Sequence, residues 1–178
     1  MTAKLDKTDT PFETVDAIEA YLQETATMPM EEPGLFELEH GLQCAAELEA
    51  CAPDDIELQI AGLVHDICHG RCHIRVHDRV GAGAVRAVLG DRVAELVGLH
   101  VAAKRYLVAT DRSYAARLSP ISKTSLDLQG GAMTQEEISA FEKHPLAQEA
   151  MLLRMADEAA KTPGRIVPGL DHWRGALR

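Results

Sequence analysis

Apolar residues recur three and four apart along almost the whole chain, and alternating runs rich in Val, Ile and Thr are missing. That period belongs to helices packing one face on a core, so the chain reads as all-α. The spacing predicts helices over residues 14–24, 35–50, 56–66, 78–89 and 91–107, a short one over 134–141 and a long one over 145–161. Asp54 or Asp55 can cap the third, and Gly90 ends the fourth. Thr134 and Glu137 form a capping-box pattern, and Pro145 stands where a first turn needs no N–H. Residues 28–34 read as a turn and residues 68–73 as a polar, Gly-interrupted link. Residues 119–131, rich in Ser, Gly and Thr, read as a loop delivering side chains. Trp173 reads as the closing anchor of the tail.

Composition narrows the partners. The 178 residues suit one domain, with a motif-bearing core at about 36–161. Eighteen Lys plus Arg against 28 Asp plus Glu leave a net charge of −10, and no basic run exceeds two residues. Such a chain cannot hold a phosphodiester backbone by counterion release over a broad surface, so nucleic acid is excluded as a main partner, as is an anionic membrane. No window of 18 apolar residues exists, and residues 1–10 lack the apolar stretch of a signal peptide, so a cytoplasmic protein is expected. Cys44, Cys51, Cys68 and Cys72 then read as reduced thiols, the first two as core packing. Cys68, His69, Cys72 and His73 crowd one link but lack the second matching pair of a zinc site.

The placement of His and Asp carries the chemistry. His40 and His100 fall mid-helix, His65-Asp66 ends an apolar helix, His77-Asp78 opens the next, and Asp157 comes late in the last long one. One such His is ordinarily a satisfied core residue. Several buried imidazoles and carboxylates together are costly without a compensating cation, and a metal centre removes that cost. A nitrogen and oxygen set of His40, His65, Asp66, His77, His100 and Asp157 suits iron, manganese or zinc, and six ligands exceed one tetrahedral ion. Neighbours on a helix point about 100° apart, so His65 and Asp66 fit best with Asp66 bridging two metals and His65 on one.

The motif His65-Asp66-Ile67-Cys68-His69, with His40 upstream and Asp157 downstream, resembles the HD-domain superfamily, a helical bundle; His77 and His100 extend the resemblance to its two-metal subgroup. The strings at 38–45, 77–82, 100–107, 128–131 and 153–158 are similar to the phosphonate-cleaving HD oxygenases, over about two-thirds of the chain. The resemblance implies a mixed-valent Fe(II)/Fe(III) pair, O2 as co-substrate, and cleavage of a 1-hydroxyalkylphosphonate to phosphate and a carboxylate. It implies Asp66 and His69 as catalytic residues, and His69, Lys104, Ser122, Gln129 and Arg154 as phosphonate contacts.

Spacing agrees with those roles. His100 and Lys104 are four apart, as are His65 and His69, and Arg154 and Asp157 are three apart, so each pair shares a helix face. Taken singly, Lys104 reads as a solvated lysine and Arg154 as a surface partner of Glu158 or Glu149. With Ser122 and Gln129, and Thr124 or Ser125 beside them, they form a donor set suited to a dianionic head. Relatives acting on 2-amino-1-hydroxyethylphosphonate, which yields glycine, carry a Tyr and a Glu ten and seven residues before the first ligand; here those places hold Met30 and Pro33. A trimethylammonium group prefers polarizable or aromatic walls near carboxylates, so Met28, Met30, Phe36, Glu31, Glu32 and Glu37 point to the trimethylammonio substrate and glycine betaine. A metal-dependent HD phosphohydrolase and a non-catalytic helical module are the competing readings.

Overall fold

A computed structural model describes residues 11–178; the absence of a signal peptide was read from residues 1–10, which lie outside the described residues. These hold nine helices, α1 (Val15–Thr25), α2 (Glu37–Cys51), α3 (Ile56–Val64), α4 (His77–Thr110), α5 (Arg112–Arg117), α6 (Pro120–Leu128), α7 (Gln135–Phe141), α8 (Ala147–Ala159) and α9 (Leu170–Trp173). The all-α reading holds, with one isolated bridge between Pro29 and Phe36. No helix of the described residues is long and apolar enough to cross a membrane.

Helices α2, α3, α4 and α8 pack on one another and position the site. Leu48, Leu58, Val64, Leu96, Val97 and Leu153 fill the space between them. Helix α2 lies close on α3 because residue 41 is glycine: a Cβ there would stand 2.5 Å from the Leu63 carbonyl oxygen. This contact sets His40 beside the end of α3, where His65 follows.

Helix α4 doubles back. Gly90 holds φ 86° and ψ 171°, a conformation open only to glycine, and divides α4 as the sequence predicts. In a continuous helix His77 and His100 would stand about 34 Å apart. Folded at Gly90, their Nε2 atoms are 2.9 Å apart.

Two features correct the sequence reading. The segment expected as a loop at 119–131 forms α6, with Ser119 capping the Ser122 N–H, Pro120 in the first turn, and Ser122 and Leu126 buried. Its small polar residues resemble loop composition, but Leu126 joins Leu107, Tyr114 and Leu118 in a local apolar cluster. Cys51 is exposed rather than core, while Cys44 is buried. Trp173 closes the main core as expected.

Candidate metal centre and anion cleft

Six side chains from α2, the turn after α3, α4 and α8 converge. His40 Nδ1 bonds the Ala160 carbonyl at 2.8 Å, His65 Nδ1 that of Gly62 at 2.8 Å, His77 Nδ1 that of Ile74 at 2.7 Å, and His100 Nδ1 that of Val97 at 2.6 Å. Each backbone acceptor takes the ring proton on Nδ1, so in the neutral tautomer all four Nε2 lone pairs point inward. They meet in two pairs, His40 with His65 at 3.3 Å and His77 with His100 at 2.9 Å.

Asp66 joins the pairs. Its Oδ2 lies 3.3 Å from His65 Nε2 and 3.6 Å from His40 Nε2, while its Oδ1 lies 3.2 Å from His77 and 3.6 Å from His100. Asp157 adds its Oδ1 3.3 Å from His40 and its Oδ2 3.7 Å from His65. Two clusters that could each hold a metal ion, His40-His65-Asp66 and Asp66-His77-His100, thus share one carboxylate.

The donor set fits cations. Burial and the neighbouring His77 and His65 push His100 down to about 3, leaving it a neutral lone-pair donor. Burial opposes the charge of Asp66, yet His65 holds its carboxyl well below the usual range; Arg154 does the same for Asp157. His65 itself rises well above the ordinary value, the Asp66 carboxylate outweighing burial. Converging lone pairs and anions demand positive charge at the centre, and a divalent or trivalent ion answers that demand at several ligands at once.

The cluster opens into a cleft whose lining also includes Lys104, Ser122, Ser125, Gln129, Arg154 and Lys161. Lys104 is buried, with Nζ 2.6 Å from Ser125 Oγ and 3.0 Å from Gln129 Oε1. Burial, then the nearby Arg154, brings its pKa down to about 7. Arg154 is buried as well, clasping Asp157 and Glu158 and donating to Tyr114 Oη at 2.6 Å. Neither is the solvated surface residue it resembles singly. His69 lines the cleft too; burial would lower its pKa, but the hydrogen bond to Glu37 and the charge of Asp66 lift it to about 9.

Met30, Glu31 and Glu32 line the cleft, whereas Met28, Phe36 and Glu37 are absent from its wall. Thr124 turns outward and bonds the Pro120 carbonyl; Ser125 takes the place beside Lys104. Sequence reasoning missed Lys161, whose Nζ is 2.7 Å from Ser122 Oγ, 3.0 Å from Glu158 Oε2 and 3.5 Å from Glu32 Oε1. Its one available signal was its position, one helical turn after Asp157 and Glu158.

An all-α bundle that gathers four imidazoles and two carboxylates next to a cation-rich cleft defines an HD-type metal-site protein. No protein-family model matches the chain. Hydroxymethylphosphonate dioxygenase of Gimesia maris is 36% identical over 95% of this chain and 89% of its own length. The glycine-betaine-forming 1-hydroxy-2-(trimethylamino)ethylphosphonate dioxygenase of Leisingera caerulea is 36% identical over 89% of this chain and 80% of its own. The chain belongs to the phosphonate dioxygenases, oxygenases acting on organophosphonates.

Proposed function

We propose that the protein oxidatively cleaves the C–P bond of a small 1-hydroxyalkylphosphonate at a mixed-valent Fe(II)/Fe(III) pair. The observation carrying this reading is the shared carboxylate of Asp66, one oxygen turned to His40 and His65 and the other to His77 and His100, at the floor of a cleft walled by Lys104 and Arg154. His40, His65, Asp66 and Asp157 would hold one iron, and Asp66, His77 and His100 the other. Such a pair, when bound, supplies the redox equivalents and Lewis acidity that O2 chemistry requires.

The chain's own residues do the rest. Lys104, Arg154, Ser122 and Gln129 neutralise and orient the phosphonate oxygens, and His69 donates a further hydrogen bond. Of the expected catalytic pair, Asp66 would act by joining the two ions and His69 by orienting the phosphonate head. The cleft has a cavity volume of about 50 Å³, which suits a small anionic head.

For the substituent we favour the trimethylammonio substrate and glycine betaine as product, because Met30, Glu31 and Glu32 add polarizable and anionic lining to the same cleft as the phosphonate donors. A second reading, hydroxymethylphosphonate, is supported by the absence of any Phe, Tyr or Trp from the cleft lining and by its small volume. Steady-state assays on the trimethylammonio, amino and hydroxymethyl compounds decide. The favoured reading requires the highest kcat/KM for the first, with O2 uptake matching phosphate release; equal phosphate release without O2 overturns oxygenation altogether. Metal analysis with EPR spectroscopy on the as-isolated protein checks for two irons and a mixed-valent signal.

A further inference from the structure

We propose that Glu37 is a positioning residue for the substrate, holding the His69 ring so that its second nitrogen is presented to the cleft. The inference rests on the reading that the cleft binds a phosphonate. His69 Nδ1 lies 2.8 Å from Glu37 Oε1, and both side chains are largely buried, at 17% and 11% exposure. His69 lines the cleft and Glu37 does not. With its Nδ1–H given to the carboxylate behind it, the ring turns its Nε2 edge to the other side, and as imidazolium, the form that the Glu37 and Asp66 carboxylates favour, it has an Nε2–H that a phosphonate oxygen can accept.

The seat of Glu37 supports that function. It is the first residue of α2, three before His40, so one helix face carries the brace of His69 and the first of the converging imidazoles. Its second oxygen, Oε2, is buried without a hydrogen-bond partner. An unsatisfied buried carboxylate oxygen costs stability, so a chain selected for stability alone would place an apolar side chain there. The bond to His69 is what this carboxylate provides in return. As an ammonium contact, the role its sequence position suggests, it would have to reach the cleft wall, which it does not.

Glu37, Asp66 and His69 also come close enough together to hold an ion of their own, so the experiment must separate a brace from a ligand. Metal-loaded wild type, Glu37→Ala, Glu37→Gln, His69→Ala and the Glu37→Ala/His69→Ala double variant are compared by calorimetric titration with inorganic phosphate and by steady-state kinetics. Glu37→Ala and His69→Ala should each weaken phosphate binding and raise KM about tenfold, with kcat changed far less. The double variant should match His69→Ala, because the two residues act as one unit. Glu37→Gln should recover most of the loss, since its amide oxygen still accepts from Nδ1–H.

Independent, additive losses overturn the proposal, as do an unchanged phosphate affinity in Glu37→Ala, a Glu37→Gln no better than Glu37→Ala, or a lost metal equivalent in Glu37→Ala. The phosphate titration reads the brace without turnover. A wild type that binds phosphate in this pattern but consumes no O2 with any hydroxyphosphonate overturns the proposed function and leaves the brace standing.

Discussion

At the scale of single residues, Asp66 does what no other side chain in the cluster can, because its two oxygens address two different pairs of imidazoles. Asp66→Asn keeps the shape but replaces one anionic oxygen with an NH2 that cannot ligate. Activity should fall by roughly a hundredfold or more, with fewer than two metal ions retained per chain, as elemental analysis would read. Lys104 gives a pH prediction. Its ammonium is held near 7 by burial and by Arg154, so raising pH through 7 removes the cation from the free cleft and phosphonate affinity falls. Lys104→Arg keeps its charge throughout. The ratio of variant to wild-type kcat/KM should therefore climb about tenfold between roughly pH 6 and 9, a comparison in which the substrate's own ionisation cancels; a flat ratio would contradict the assignment.

At the scale of elements, what the sequence made legible was whatever left a periodic or capping mark. The six His and Asp candidates stand in helices or their ends, Gly90 divides α4 as read, and the Thr134–Glu137 capping box opens α7. Helix α6 escaped notice because Ser122, Thr124 and Ser125 imitate a loop, although Ser119-Pro120 is a cap followed by a first-turn proline. Helix α5 has six residues, too few to display a period. Tyr114, and the contact of Lys161 with Ser122, were illegible for another reason: the partners, Arg154 and Ser122, come from distant segments. The crossing of α2 and α3 offers a sharp test. Gly41→Ala would press a Cβ onto the Leu63 carbonyl oxygen, forcing the helices apart exactly where His40 and His65 must meet. Stability should drop by about 1–3 kcal/mol in denaturant unfolding, with metal content falling alongside. Gly83→Ala, in α4 with nothing near its added methyl, should instead stabilise by about 0.5–1 kcal/mol and leave metal content unchanged.

At the scale of the whole molecule, the cluster lies where α2, the turn after α3, α4 and α8 meet, so bound metal ties together the helices that also enclose the main core. Removing it does more than loosen a surface loop. The converging imidazole nitrogens and the carboxylates of Asp66 and Asp157 are then left with only the protons they take up between them, a cost carried by every one of those helices. A chelated sample should melt roughly 5–15 °C below the loaded one, in one cooperative transition, as a linkage of about 3–4 kcal/mol implies for a chain of this length. The difference should depend on pH with a definite sign. His65, raised above its unfolded value by Asp66, adds stability to the metal-free fold that is fully present below about pH 6.5 and is lost as pH rises through its folded value. Protons also compete with metal for the same imidazoles. Both effects make the loaded-minus-chelated difference in melting temperature larger at pH 8 than at pH 6. Scanning calorimetry at the two pH values checks this, and a difference that shrinks with rising pH would mean that the imidazoles are not the groups through which the metal stabilises the bundle.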